Sequence, residues 1–334
     1  LNELVFFLNK VIVSGFAIGS VYAMGAIGVT LVFAILRFAH FAHGDLMTVG
    51  AFFAFALTAL FPAAGSVFGL PTGFVMLPLA MVMTALFAIA LDRLFYRKLR
   101  QNEVKPVVMV MASIGVALML QGLVRLFAGT ASRNFYIADH KEIFRIALPI
   151  ETVTRKLVIT EPQLLLVVFS VLVVTVLHFF LTRSRFGKAM RAMSDNADLA
   201  RVSGIDTDTV VTMTWAIAGA LAAAAGVLLS LDVSLKPDMS FNLLLPIFAA
   251  AIVGGVGNPF GAIAGAYVVG FAETLAVFNW SVLLRAVSDW LPQGFEIPTK
   301  LALVPTEYKL TVPFFILVVV LIWRPTGLFR GKVL

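Results

Sequence analysis

The chain has 334 residues, of which 60% are hydrophobic and only 13% charged; its formal net charge is +7 and it contains no cysteine. Soluble domains run at about 45–50% apolar and about 25% charged, and long apolar runs recur along this whole chain, which excludes a soluble domain with one anchor. Disulfides, thiolate metal sites and Cys nucleophiles are excluded too. The positive balance reads as Lys/Arg in cytoplasmic loops and not as a nucleic-acid partner.

The opening stretch LNELVFF carries Glu3 before any basic residue, and Lys10 falls inside the apolar run. A cleavable signal needs a basic region first, so none is expected, and the missing initiator Met points to a trimmed start. Breaks at charges and at Pro/Gly clusters give spans at 11–36, 44–61, 72–92, 107–128, 163–182, 209–231, 242–257, 260–280 and 311–323. A span needs about 20 mostly apolar residues. The second, seventh and last are short enough to be broken or re-entrant. The expectation is an all-α polytopic membrane protein with eight or nine transmembrane helices, built as a single domain over 1–334.

The first span holds Tyr22, Thr30 and the small-residue stretch Gly15 to Gly19. It leads into FAHFAHGD, where His40, His43 and Asp45 crowd together. Gly44 frees the backbone at a helix start, and Asp45 suits that helix's positive end. Two His and one carboxylate can hold a metal, but nothing nearby supplies a further ligand, with His140 and His178 placed on or near the opposite side. A membrane-edge turn and a gate or partner contact are the other readings.

Charge counting sets an orientation. With the N-terminus outside, the inside segments are 37–45, 92–106, 183–208, 258–259 and 324–334; they hold 14 of the 25 Lys/Arg and 7 of the 18 Asp/Glu. The remainder balances at 11 of each. That bias puts the C-terminus inside and leaves 129–162 and 281–310, which includes Trp290, as outside loops.

The inside segment 183–208, RSRFGKAMRAMSDNADLARVSGIDTD, is more than a connector. Ser194, Asp195 and Asn196 offer N-cap oxygens. ADLARVS suits a two-turn helix, and Gly204 sits where a C′ glycine would end it. Leu199 and Val202 can share an apolar stripe between Arg191 and Arg201. Such a helix either lies on lipid headgroups or fills a groove on a soluble partner.

The stretch AIVGGVGNPFGAIAGAYVVG carries Gly254, Gly255, Gly257, Gly261 and Gly265, with Asn258-Pro259 breaking the helix at a turn. Small residues four apart allow close helix approach; half-helix ends lining a pathway are the sharper reading. Glu273 follows, either an intramembrane functional carboxylate or a solvated group near the outer interface. No Walker A motif is present, because Ala189 follows Lys188 and Val333 follows Lys332. Neither a Gly-x-Ser-x-Gly elbow nor His-Glu-x-x-His occurs, so no enzyme is expected.

Four stretches in order now resemble one family. They are GFAIGSVYAMGAIGVTLVFAILRFAHFAHGDLMTVGAF, FGKAMRAMSDNADLARVSGIDTD, AIVGGVGNPFGAIAGAYVVGFAE and RPTGLFRG. The sequence resembles the membrane permeases of branched-chain amino acid ABC importers, the LivH-type branch. His40-Phe41 stands where that family usually has Asn-Phe, and Asp45 where it has Glu.

The resemblance implies a permease subunit in the bacterial inner membrane, moving branched-chain or related amino acids inward. Its N-terminus is periplasmic and its C-terminus cytoplasmic. The partners it implies are a second related permease, two cytoplasmic ATPases that bind the ATP, and a periplasmic binding protein. Gly187, Arg191, Asp195, Asn196, Leu199, Arg201 and Gly204 then belong to the element coupled to an ATPase. Tyr22, Thr30, His43, Gly44, Asp45 and Glu273 are expected along the pathway or its gate; His40 departs from the pattern and receives no role beyond the turn. A permease for urea or short amides and an autonomous secondary carrier are the alternatives.

Overall fold

The computed structural model describes residues 2–136, 140–147, 149, 154–286 and 298–329, with only the backbone of Ser240, Phe241 and Ala286. Trp290 and the end of RPTGLFRG lie outside the described residues. In chain order the helices are α1 (Asn2–Leu36), α2 (His43–Leu60), the short α3 (Ala64–Phe68) and α4 (Thr72–Val75), α5 (Leu77–Gln101) and α6 (Pro106–Ala128). A hairpin of β1 (Ile143–Ile146) and β2 (Leu157–Thr160) precedes α7 (Glu161–Arg183). Then come α8 (Arg185–Asp195), α9 (Ala197–Val202), α10 (Thr207–Asp232), α11 (Met239–Gly254), α12 (Pro259–Val277), α13 (Ser281–Ala286) and α14 (Thr311–Trp323).

Seven of these are long and apolar enough to cross a membrane: α1, α2, α5, α6, α7, α10 and α12. The seventh and last expected spans are the shorter apolar helices α11 and α14. Three expected edges shift. The first helix starts at Asn2 and not at 11, because its π-helical turn Leu8–Val13 carries Lys10 through without a break. At about 1.5 Å per residue it is about 52 Å long, well beyond a hydrocarbon core of about 30 Å. The third begins at Leu77, with α4 set off before it, and runs on through Arg97 and Arg100. The segment 129–162, expected outside, also holds the β1–β2 hairpin, antiparallel with Ile143 opposite Thr160.

Burial ranks the helices. The most apolar stretches of α1, α10 and α2 are 89%, 78% and 67% buried, against 22% for α7, so the first three form the centre. Small residues allow that. A Cβ on Gly226 of α10 would strike the Met47 backbone of α2, and one on Gly50 of α2 would meet Ala223. On the other side, Gly15 and Gly19 of α1 receive the Phe271 and Tyr267 rings of α12, and Gly270 closes on the Gly19 backbone. Without a hydrophobic force between helices in lipid, such approaches supply van der Waals contact. Buried hydroxyls bond back along their own helices, as with Thr84 to Ala80 and Thr214 to Val210, which satisfies polar groups where solvent is excluded.

The segments singled out for positive charge meet at one end of the bundle, the loop face. Arg37 donates to the Ser194 carbonyl, Arg97 pairs with Asp208 at 2.9 Å, and the Asn258 amide donates to the Phe329 carbonyl at 3.2 Å. The other end holds the hairpin, the start of α1, the 233–238 connection and residues 279–286 and 298–301; Asn9 bonds Lys156 and Val158, and Trp280 bonds Leu301. One expectation fails: His178 lies toward the loop face, its ring 5.2 Å from that of Phe260 beside the Asn258 turn. The helix α7 ends at Arg183, only five residues further on.

Candidate functional site

At the loop face, segment 183–208 is two helices and not one. Ser184 caps the first, α8, accepting from the Gly187 amide at 2.8 Å. Gly187, Met190 and Met193, three apart, are buried and seat α8 on the bundle; a Cβ on Gly187 would strike the Phe180 and Leu181 carbonyls. Arg191 remains exposed and reaches the Thr182 carbonyl at 3.5 Å. This stripe was in the sequence but lay hidden among Arg and Lys.

The second helix, α9, is held by its ends. Asn196, just after Asp195, accepts from the Asp198 and Leu199 amides at 3.1 and 3.0 Å. Gly204, at φ +83°, donates to Arg201, and Ile205 donates to Ala200. That double bond is a Schellman closure and favours glycine at the left-handed position. Thr209 then holds the Asp206 carboxyl below the usual range through its hydroxyl and its amide, with the Asp208 amide adding to it. Ala200 is buried against the bundle, whereas Leu199 and Val202 are 63% and 86% exposed. So the expected apolar stripe exists and faces away from the protein, flanked by exposed Arg201.

Just inside the loop face lies an aromatic and imidazole cluster that the sequence reading missed. His40, assigned only to a turn, is fully buried. Its ring stands edge-on to Trp215 at 4.8 Å and to Tyr96 at 5.4 Å, and Tyr96 stacks on Trp215 at 5.0 Å. Tyr96 sits on a π-helical turn of α5 that also carries Asp92, which pairs with Arg100. Burial pushes the His40 imidazole well below its ordinary range, and neighbouring His43 pushes the same way. His43 opens α2 fully buried, its ring pressed on Gly28 of α1 and 6.3 Å from that of His40. Gly44 and Asp45 follow, both buried. Thr30, His40 Nε2 and Trp215 Nε1 are buried without a hydrogen-bond partner among the described residues. Among those residues no three His, Cys, Asp or Glu form a metal-ligating group.

The glycine-rich turn packs as its spacing implies. Gly255 and Gly257 take φ of +115° and +83°, Asn258 caps α12 and Pro259 opens it. A Cβ on Gly254 or Gly261 would strike the other's backbone, and one on Gly265 would strike Ala250. Further along α12, Glu273 is fully buried, so it is not the solvated interface group. Tyr22 donates to its two carboxylate oxygens at 3.1 and 3.0 Å, and Lys309 lies 3.1 Å away. Lys309 was not foreseen; the signal was the cost of a buried carboxylate, which demands a cation.

A family model described as "Branched-chain amino acid transport system / permease component" matches residues 11–321. The LivH permease protein of the high-affinity branched-chain amino acid transport system of Escherichia coli K12 is 29% identical, covering 98% of this chain and 96% of that protein. The corresponding BraD protein of Pseudomonas aeruginosa is 30% identical over 95% and 94%. A probable LivH of Methanocaldococcus jannaschii is 27% identical over 81% and 82%. No solved structure matches. With a helical membrane architecture, an outward-facing capped helix at one end and a family match across nearly its whole length, the chain belongs to the branched-chain amino acid transport permeases.

Proposed function

We propose that the chain is a single-domain permease subunit of an ATP-driven importer in the bacterial inner membrane, and that it carries branched-chain amino acids inward. The loop face is cytoplasmic, with the N-terminus periplasmic and the C-terminus cytoplasmic; the Lys/Arg bias of the segments gathered there supports this. The connections at the other end, 129–162 and 281–310, are periplasmic. A second related permease completes the pathway, two cytoplasmic ATPases bind the ATP, and a periplasmic binding protein delivers the amino acid.

One observation carries the coupling assignment. Helix α9 offers Leu199 and Val202 to the surroundings while its backbone is satisfied by Asn196 and Gly204. A short helix with exposed apolar anchors and flanking Arg fits a groove on a soluble protein. Gly187, Met190 and Met193 seat the preceding helix, and Arg191 reaches back to the Thr182 carbonyl, so a push on α9 is transmitted to the ends of α7 and α10. Tyr22, Thr30, His43, Gly44, Asp45 and Glu273 belong to the pathway and its gates.

The test is extraction from the native membrane followed by reconstitution. A second permease and a Walker-A ATPase should come out with the chain, and the complex should accumulate leucine only with ATP and a binding protein. A chain that comes out alone and moves leucine without ATP would be an autonomous carrier.

A further inference from the structure

At the end of the bundle opposite the loop face, a cavity of about 390 Å³ opens beside Glu273. That volume falls within the range of small-molecule sites, about 300–1,000 Å³. Phe6, Lys10, Glu273, Phe278, Asn279 and Lys309 are among its lining residues. Its charges are layered. Glu273 is 0% exposed, accepts from the Tyr22 hydroxyl and is the deep group of the cavity; the Lys309 side chain, 35% exposed, is the shallower one. Lys10 is exposed at the same mouth and has no ion pair or hydrogen bond among the described residues. It is carried there by the π-helical turn Leu8–Val13, a distortion frequent at functional sites.

A structural ion pair explains one lysine, not two. A buried carboxylate needs one cation, and Lys309 supplies it. The second lysine leaves one positive charge over at the rim, while the acid lies deep. A ligand with an ammonium at one carbon and a carboxylate beside it matches that layering. The ammonium replaces Lys309 at Glu273, and the carboxylate takes Lys309 and Lys10. An aliphatic side chain then lies on Phe6, Val277 and Phe278. A neutral amide has nothing to exchange with the ion pair, and a simple carboxylate meets Glu273 unfavourably.

We infer that this cavity is an entry site for zwitterionic amino acids, with Glu273, oriented by Tyr22, taking the ammonium and Lys309 and Lys10 the carboxylate. The inference rests on the importer reading above and names the groups with which the permease itself reads the substrate.

The native chain has no Cys, so a Thr306→Cys thiol in the cavity wall reports occupancy. The assembled complex in membrane vesicles, without binding protein, is treated with a maleimide. Leucine should slow the modification, whereas 4-methyl-2-oxopentanoate, which lacks the ammonium, and isoamylamine, which lacks the carboxylate, should not. Glu273→Gln should abolish protection. Lys10→Met, an exposed position that leaves the fold intact, should raise the protecting leucine concentration by about tenfold, the worth of one charged hydrogen bond. Equal protection by all three compounds, or protection unchanged in Lys10→Met and Glu273→Gln, would overturn the site. If leucine uptake is ATP-driven yet leucine gives no protection, the site falls and the importer reading stands. If leucine protects but is not taken up with ATP, the site stands and the importer reading falls.

Discussion

The two ends of the molecule are built in opposite ways. At the loop face, α9 satisfies its own backbone through Asn196 and Gly204 and turns its apolar side chains outward. At the far end, Glu273 turns inward and its charge is already met by Tyr22 and Lys309. The first arrangement suits a large partner that brings its own apolar groove. The second suits a small charged ligand that exchanges with an existing ion pair. Exposed apolar groups are cheap to display when few; a buried charge is held only if paired.

The largest effect expected from breaking this contrast is at α9. The double change Leu199→Asp with Val202→Asp places charge where a groove should close. ATPase recovery with the permease and ATP-driven leucine uptake should fall by at least about tenfold, as for hot-spot loss. Because both positions are exposed, the melting temperature of the chain should hold. A parallel loss of folding would make the two side chains structural.

A smaller effect is expected from Asn196→Ala, which removes the two-amide cap without touching the apolar pair. The helix loses about 1 kcal/mol. Coupled uptake should fall by only a few-fold and recover in Asn196→Asp, read as initial rates in vesicles. No recovery with Asp would mean that Asn196 contacts the partner itself.

Much of this was legible in the sequence, and the illegible parts share a cause. Helix starts at Pro106 and Pro259 and the Gly204 stop are local signals, and each sits within a residue or two of its expected place. The glycine crossing of α11 and α12 follows from spacing alone. The pairing of Glu273 with Lys309 does not, since the two are joined only by packing of α12 beside the start of α14. Nothing local in the sequence marks Tyr96 and Trp215, and only tertiary structure brings them onto His40. Lys10 looked like the edge of a span, whereas the helix runs on past it. Arg and Lys in 183–195 masked the buried Gly187–Met190–Met193 stripe, and α8 was missed for that reason.

The most direct test of the central claim is a cross-link from α9. Val202 is 86% exposed and the chain has no Cys of its own, so a Val202→Cys thiol is a unique attachment point. A short thiol-to-amine cross-linker applied to native-membrane complexes should join the chain to an ATP-binding subunit, and the yield should change when nucleotide is added. A cross-link that instead captures only aminophospholipid, with no soluble subunit at any nucleotide state, would put α9 on the membrane surface and remove the basis for coupling through it.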